Sequence, residues 1–204
     1  MILTHGANSL GETGHNVIGG KTYEVVTMPD GKKWLAENLD FTFPGLDVGS
    51  AGLSSTPKAN YYDDDEHTNG WNGRKCGLLY NWHAVKYLND NRNRFFRGWR
   101  IPTLSDYNTL ILAIGGTTYG GKELKQDNVS WAPNWNGTND YDFNLLPAGR
   151  YNGNFVQISS RAMIWTATEY DSINAYFADV DESTPIGTDS YRKDYQYSIR
   201  LIEE

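Results

Sequence analysis

Thr22-Tyr23-Glu24-Val25-Val26-Thr27-Met28-Pro29-Asp30-Gly31, continuing as Lys32-Lys33-Trp34-Leu35-Ala36-Glu37-Asn38-Leu39, is the stretch that sets the fold. β-Branched and aromatic side chains fill Thr22 to Thr27, which reads as a strand. Met28-Pro29-Asp30-Gly31 reads as a turn, because proline presets φ and glycine accepts a positive φ. Lys33 to Leu39 then returns as the partner strand of a hairpin. From Phe41 to Gly77 the chain is a long connection rich in Gly, Ser and Asp, of the kind that is either functional or disordered.

Two helices follow. Leu79-Tyr80-Asn81-Trp82-His83-Ala84-Val85-Lys86-Tyr87-Leu88 carries its apolar residues at helical spacing. The second starts at Thr103, an N-cap after Pro102, with Asp106 in the capping-box place usually held by Glu or Gln. Tyr107, Leu110, Ile111 and Ile114 form its apolar stripe, and Gly115-Gly116 closes it. Short strands are expected at Tyr141 to Leu145, Ala162 to Thr168, Ala175 to Val180 and Ser198 to Ile202. Hairpin, helices, then strands predict an α+β domain with two helices, small antiparallel sheets and long irregular loops. That domain spans 21–204, and the Gly- and Asn-rich residues 1–20 read as an irregular N-terminal arm.

Between Thr168 and Tyr197, Tyr, Asp, Ser and Asn fill fourteen of thirty positions. Candidate ligand-binding residues there are Tyr170, Asp171, Ser172, Asn174, Tyr176, Asp179, Asp181, Ser190, Tyr191, Asp194 and Tyr195. Tyr gives large contact area at low entropic cost, and the small polar side chains give adaptable hydrogen bonds. Strand alternation turns some of these inward, Tyr176 among them. By composition alone an ordinary polar loop stays open as the other reading.

Aromatics make up 14% of the chain, with seven Trp, which points to a loop-rich fold pinned by ring packing and away from disorder. A formal charge of −7 gives no basic footprint for nucleic acid and disfavours docking on anionic membranes. The single cysteine, Cys76, excludes an internal disulfide and reads as an inert buried thiol in preference to a nucleophile. Met1-Ile2-Leu3-Thr4-His5-Gly6-Ala7-Asn8 has no signal-peptide pattern, and no apolar run approaches the roughly 20 residues of a membrane span.

No metal or cofactor is expected. Asp63-Asp64-Asp65-Glu66-His67 is the densest acidic run, but consecutive carboxylates cannot all face one ion and the EF-hand spacing is missing, so it reads as a solvated turn. His5, His15, His67 and His83 do not cluster, and His83 reads as packed or capping. Gly19-Gly20-Lys21 and Gly120-Gly121-Lys122 lack the full phosphate-loop pattern and read as turns. Trp34, Trp82, Trp99 and Trp165 are assigned to the core; Trp71 and Trp135 stay open, with exposure favoured by their Asn-Gly neighbours. No Gly-x-Ser-x-Gly, His-Glu-x-x-His or Cys-x-x-Cys is present, so catalysis is the less favoured class.

Seven motifs in order resemble the Fibrobacter succinogenes major paralogous domain. They are Gly31 to Leu39; Gly77-Leu78-Leu79-Tyr80-Asn81-Trp82-His83-Ala84-Val85; Gly98-Trp99-Arg100-Ile101-Pro102-Thr103; Gly121-Lys122-Glu123-Leu124-Lys125; Leu146-Pro147-Ala148-Gly149; Trp165-Thr166-Ala167-Thr168; and Tyr197-Ser198-Ile199-Arg200-Leu201. Tyr197 departs from the small residue usual before the last motif. The resemblance implies a C-type-lectin-like fold, shared with formylglycine-generating enzymes and with the variable proteins of diversity-generating retroelements. In those variable proteins adenine-containing codons near the C-terminus are rewritten while the final strand stays fixed. It therefore implies noncovalent recognition of an unidentified cell-surface protein or glycan through a diversified surface, with the fixed adhesin or structural decoration module as alternative. The missing signal peptide favours a virion-borne receptor-binding protein of a phage over a bacterial surface protein. Residues 1–20 would then tether it to a larger assembly or pair copies.

Overall fold

A computed structural model describes residues 14–50, 52–62, 76–183 and 185–204. Residues 1–13 of the expected arm, with His5, the acidic run at 63–67 and Trp71, lie outside the described residues.

The opening hairpin is present. Strand β1 covers Gly14–Ile18, β2 Lys21–Thr27 and β3 Lys33–Leu35, all antiparallel neighbours. The Gly31 N–H donates to the Met28 carbonyl at 2.9 Å across the Pro29-Asp30 turn. β1 corrects the reading of 1–20 as an irregular arm: Gly19 and Gly20 have φ of 58° and 85°, the two left-handed residues of a tight hairpin turn. The Gly-Gly pair is therefore a folding signal that returns Gly14–Ile18 onto β2.

β4 (Asp47–Val48), β5 (Lys58–Asn60) and β6 (Leu79–Asn81) come next, then helix α1 (Trp82–Asp90) and the single turn α2 (Arg92–Phe95). The expected first helix thus loses its first three residues to a strand. Asn81 stands at the junction because its side-chain oxygen caps the helix by accepting from the Ala84 N–H at 3.0 Å. β7 (Trp99–Arg100) precedes helix α3 (Leu104–Ala113), which begins as expected with a Thr103/Asp106 capping box and buries Tyr107, Leu110, Ile111 and Ile114. α4 (Gly120–Leu124) is helical where a turn was expected. Four helices, instead of two, therefore lie within the described residues.

The remaining strands are β8 (Ala148–Tyr151), β9 (Phe155–Ile158), β10 (Arg161–Glu169), β11 (Asn174–Asp181), β12 (Ile186–Arg192), β13 (Gln196–Tyr197) and β14 (Ile202–Glu203). Tyr141 to Leu145 is not a strand. Asn139, Asp142 and Asn144 adopt φ of 52°, 54° and 54°, left-handed conformations that asparagine and aspartate tolerate and a pleat does not. The alternation of Tyr141, Phe143 and Leu145 still marks burial, since Phe143 and Leu145 are both in the core. Ser198 to Leu201 carries the chain from β13 to β14 while hydrogen bonding as a strand would, with the Leu39 and Leu35 N–H groups donating to its carbonyls.

The fold is mixed α+β and mostly β. A five-stranded sheet has the order β1-β2-β3-β14-β7; a nine-stranded sheet runs β12-β11-β10-β8-β13-β6-β5-β4, with β9 on β8. The larger sheet is neither small nor purely antiparallel, because β8–β10 and β4–β5 pair in parallel. β10 separates two cores. Met163 and Trp165 pack with Trp82, Phe177, Tyr197 and Ile199 on one side; Ala162 and Ile164 pack with Trp34, Tyr107, Leu110 and Val180 on the other. Trp34, Trp82, Trp99 and Trp165 are all buried as expected, and so is Trp135, against expectation. The Trp135 indole N–H donates to the Leu145 carbonyl at 2.8 Å and its ring lies under the Lys125 ammonium at 4.6 Å, so its neighbouring Asn136-Gly137 turn leaves it covered.

Candidate functional site

The Tyr/Asp/Ser/Asn-rich stretch is a hairpin, not a loop. β11 and β12 pair antiparallel in continuous register from Asn174↔Arg192 to Val180↔Ile186. β12 is the edge of the nine-stranded sheet, so this ribbon is its outermost layer. Little in the composition of β12 marks it as a strand, because Gly187 and Asp189 are poor β-formers; its pairing to β11 imposes the strand.

Register separates the candidates. Tyr176 lies opposite Ser190, and Tyr191 lies opposite Ala175, so the two pairs project to opposite faces. Tyr176 does not turn into the core as expected; it stays partly exposed with its ring edge-on to Tyr170 at 5.2 Å between centroids. On the other face Tyr191 meets Tyr195 at 5.0 Å, and Tyr195 packs against the core rim. Asp179 and Asp181 fall away from these groups. β11 rises about 3.3 Å per residue, which puts Asp181 on the order of 23 Å from Asn174. Asp179 is held by both guanidinium arms of Arg161, and Asp181 caps a turn by accepting from the Ser183 N–H at 2.8 Å. Those two aspartates are structural.

The β10–β11 turn is built by one carboxylate. Asp171 accepts from the Ile173 N–H at 2.7 Å, the Asn174 N–H at 2.6 Å and the Asn174 side-chain amide at 3.0 and 3.1 Å. These bonds, the Asn174 side chain first, hold its carboxyl below the usual carboxylate range. Asp171 and Asn174 therefore spend their polarity on each other.

Beneath the turn lies Lys193, buried although it sits in the most polar part of the chain. Its ammonium donates to Glu169 and, at 2.6 Å, to the Asp171 carbonyl, and rests 5.0 Å from the Trp82 ring. Its own N–H donates to the Ile173 carbonyl, and its carbonyl accepts from the Trp82 N–H. One residue thus ties together the β10–β11 turn, the β12–β13 turn and the start of α1. The sequence offered no signal for this, since its burial comes from elements up to 111 positions away (Trp82 to Lys193).

These contacts frame a cleft of about 280 Å³ lined by Leu53, Ser54, Ser55, His83, Ser172, Ile173, Arg192, Lys193 and Asp194. Asn81 positions its outer wall by donating to the Ser54 and Thr56 carbonyls. Arg192 and Asp194 form a bidentate pair at 3.0 and 2.6 Å, which raises the guanidinium pKa. Burial, and then neighbouring Lys193, push the His83 imidazole below its ordinary value. Leu53, Tyr170, Ile173 and Tyr191 are four of the eight large hydrophobics exposed among the described residues, at 42%, 56%, 64% and 44%. Ile173 was not among the expected contacts; the one aliphatic residue inside an Asp-Ser-x-Asn turn was the available signal. Among the described residues no group of His, Cys, Asp and Glu could hold a metal ion.

A family model described as the Fibrobacter succinogenes major domain matches residues 30–203. The chain belongs to this family. No curated protein and no solved structure matches it. The match begins at the Asp30-Gly31 turn, so β1 and β2 precede the part of the Fibrobacter succinogenes major domain that the model covers. The cleft lies wholly inside the matched region, built from four separate segments of the domain.

Proposed function

We propose that this chain is a noncovalent recognition module that displays a hypervariable, retroelement-diversified surface on a C-type-lectin-like scaffold, borne by a virion for host recognition. The observation that carries this reading is exposed Leu53 and Ile173 on the walls of a cleft whose backbone is pinned by Asp171 and Lys193, with exposed Tyr170 and Tyr191 on the two faces of the adjoining ribbon. Exposed aromatic and aliphatic side chains on a rigid frame are what binding hot spots are made of. Exposed Tyr170, Ser172, Ile173, Tyr191 and Arg192 lie outside both cores and can change, whereas buried Phe177, Lys193 and Gln196 and the Arg161 partner Asp179 cannot.

Deep sequencing of the gene across one source population tests this. Nonsynonymous change should concentrate at adenine-containing codons for Tyr170, Ser172, Ile173, Tyr176, Ser190, Tyr191, Arg192, Asp194 and Tyr195. Phe177, Asp179, Lys193 and Gln196 should stay constant. Change spread evenly over buried and exposed positions would refute diversification, and a uniform segment would replace it with a fixed adhesin or decoration module.

A further inference from the structure

Most of the polar groups around the cleft are already committed. The Asp171 carboxylate accepts four contacts from Ile173 and Asn174, Lys193 is satisfied by Glu169 and the Asp171 carbonyl, and Arg192 is paired with Asp194. Ser54 bonds Thr56 through its hydroxyl. That leaves the Ser55 and Ser172 hydroxyls and the His83 ring as the cleft's side-chain polar groups with no hydrogen-bond partner found among the described residues. A sugar needs many hydrogen bonds to replace those its hydroxyls make with water, and buried groups left unpaired cost affinity. This cleft offers few. What it exposes in quantity is apolar: Leu53 and Ile173 on its walls, with Tyr170 and Tyr191 on the neighbouring strand ends.

Charge adds a second constraint. Two cations (Arg192, Lys193) and one carboxylate (Asp194) line the cleft, and three more carboxylates (Glu169, Asp171, Asp189) stand in the adjoining segments 169–173 and 189–195, four against two in all. The 53–55 wall is uncharged, and the whole chain carries −7. Glu169, Asp171 and Asp189 are solvent-exposed. An approaching cationic surface is favoured and an anionic one is repelled.

We infer that the cleft seats one large apolar side chain presented by a basic segment of a partner protein. This rests on the recognition reading above and adds the partner's chemistry to it. The volume of about 280 Å³ suits a single aromatic anchor and is small for an extended ligand. The anchor would pack between Leu53 and Ile173, while flanking Lys or Arg side chains meet Glu169, Asp171 and Asp189.

The test uses blocked tripeptides on the isotope-labelled chain, read by the methyl signals of Leu53 and Ile173 and the ring signals of His83. Acetyl-Arg-Trp-Arg-amide should shift these signals with a dissociation constant of millimolar order. Acetyl-Glu-Trp-Glu-amide should bind at least about threefold more weakly at low salt, with the gap closing as ionic strength rises. Glucose, galactose, mannose and N-acetylglucosamine should leave the signals in place. Ile173→Asp should abolish the peptide shifts while the Trp165 indole signal, deep in the core, keeps its position. The inference is overturned by equal binding of the acidic peptide, by peptide shifts that survive Ile173→Asp, or by a sugar that binds where the peptides do not. Such a failure with sequence variation still confined to the exposed positions removes only the partner class; scattered variation removes the recognition reading itself.

Discussion

Replacing Lys193 by Met keeps the buried stem and deletes the ammonium, which isolates what that charge does for the surface above it. The ammonium makes three contacts. Its partner Glu169 has a side chain 55% exposed, so this pair is discounted to about 1 kcal/mol or less. The bond to the Asp171 carbonyl at 2.6 Å is charge-assisted and shielded, worth about 1.5–3 kcal/mol. Its position 5.0 Å from the Trp82 ring adds about 0.5–1 kcal/mol. Relief of the buried charge offsets part of that sum. The net expectation is a loss of about 2 kcal/mol, or a fall in Tm of about 5 °C for a chain of this size. The loss should be local as well as global. If opening of the turn becomes about 2 kcal/mol easier, exchange of the Lys193 amide, which donates to the Ile173 carbonyl, should accelerate roughly 30-fold. The β10 amides of Ile164 and of Trp165, the latter donating to the Ser198 carbonyl, should change only as far as global stability does. Thermal unfolding and native-state hydrogen exchange check both. A Tm within about 1 °C of the parent, with the Lys193 amide unchanged, would refute Lys193 as the tie between the two turns and α1.

Gly77→Ala should cost more than about 2 kcal/mol in urea unfolding, because φ is +73° and the new Cβ would stand 2.7 Å from the Leu39 carbonyl oxygen. Gly31→Ala, with φ +79° but open space around it, should cost only about 1 kcal/mol. Burial lowers the Lys125 pKa from 10.5 to about 8 in the folded state. Between those values the unfolded chain binds the extra proton, so stability rises with pH. The parent should therefore gain about 2 kcal/mol on Lys125→Met between pH 7 and 10, and a flat difference would contradict it. Asp179→Asn breaks the bidentate contact to Arg161 and should lower stability by about 1–2 kcal/mol. It should leave the Ile173 methyl signal in place, because Asp179 sits about 16 Å along β11 from Asn174.

The parts legible in the sequence were those whose signals are local. The Pro29-Asp30-Gly31 turn, the Thr103 cap and the stripe of Tyr107, Leu110, Ile111 and Ile114 each carry their cause within a few residues. Tyr141 to Leu145 was read as a strand and is not one: left-handed Asn139, Asp142 and Asn144 break the pleat while Phe143 and Leu145 are still buried. β12 escaped notice because Gly187 and Asp189 interrupt its strand-forming residues, and pairing to β11 supplies the regularity. In the candidate site, the tyrosines and the Asp171 turn were visible by type. Ile173, Leu53 and Lys193 were not, because a cleft assembled from segments far apart in sequence has no linear pattern.

Ser198 to Ile202 passes between the two sheets and contributes Ile199 and Leu201 to one core and Ile202 to the other. Ser198 and buried Arg200 bond Asn38 across 160 and 162 positions. Neither core can close until this segment arrives, so a ribosome must release nearly the whole domain before it can fold, and early pieces wait with apolar surface uncovered. Such long-range closure is slow. The last interior segment to be synthesised is thus the one that both halves of the molecule wait for, and a fault there spares neither.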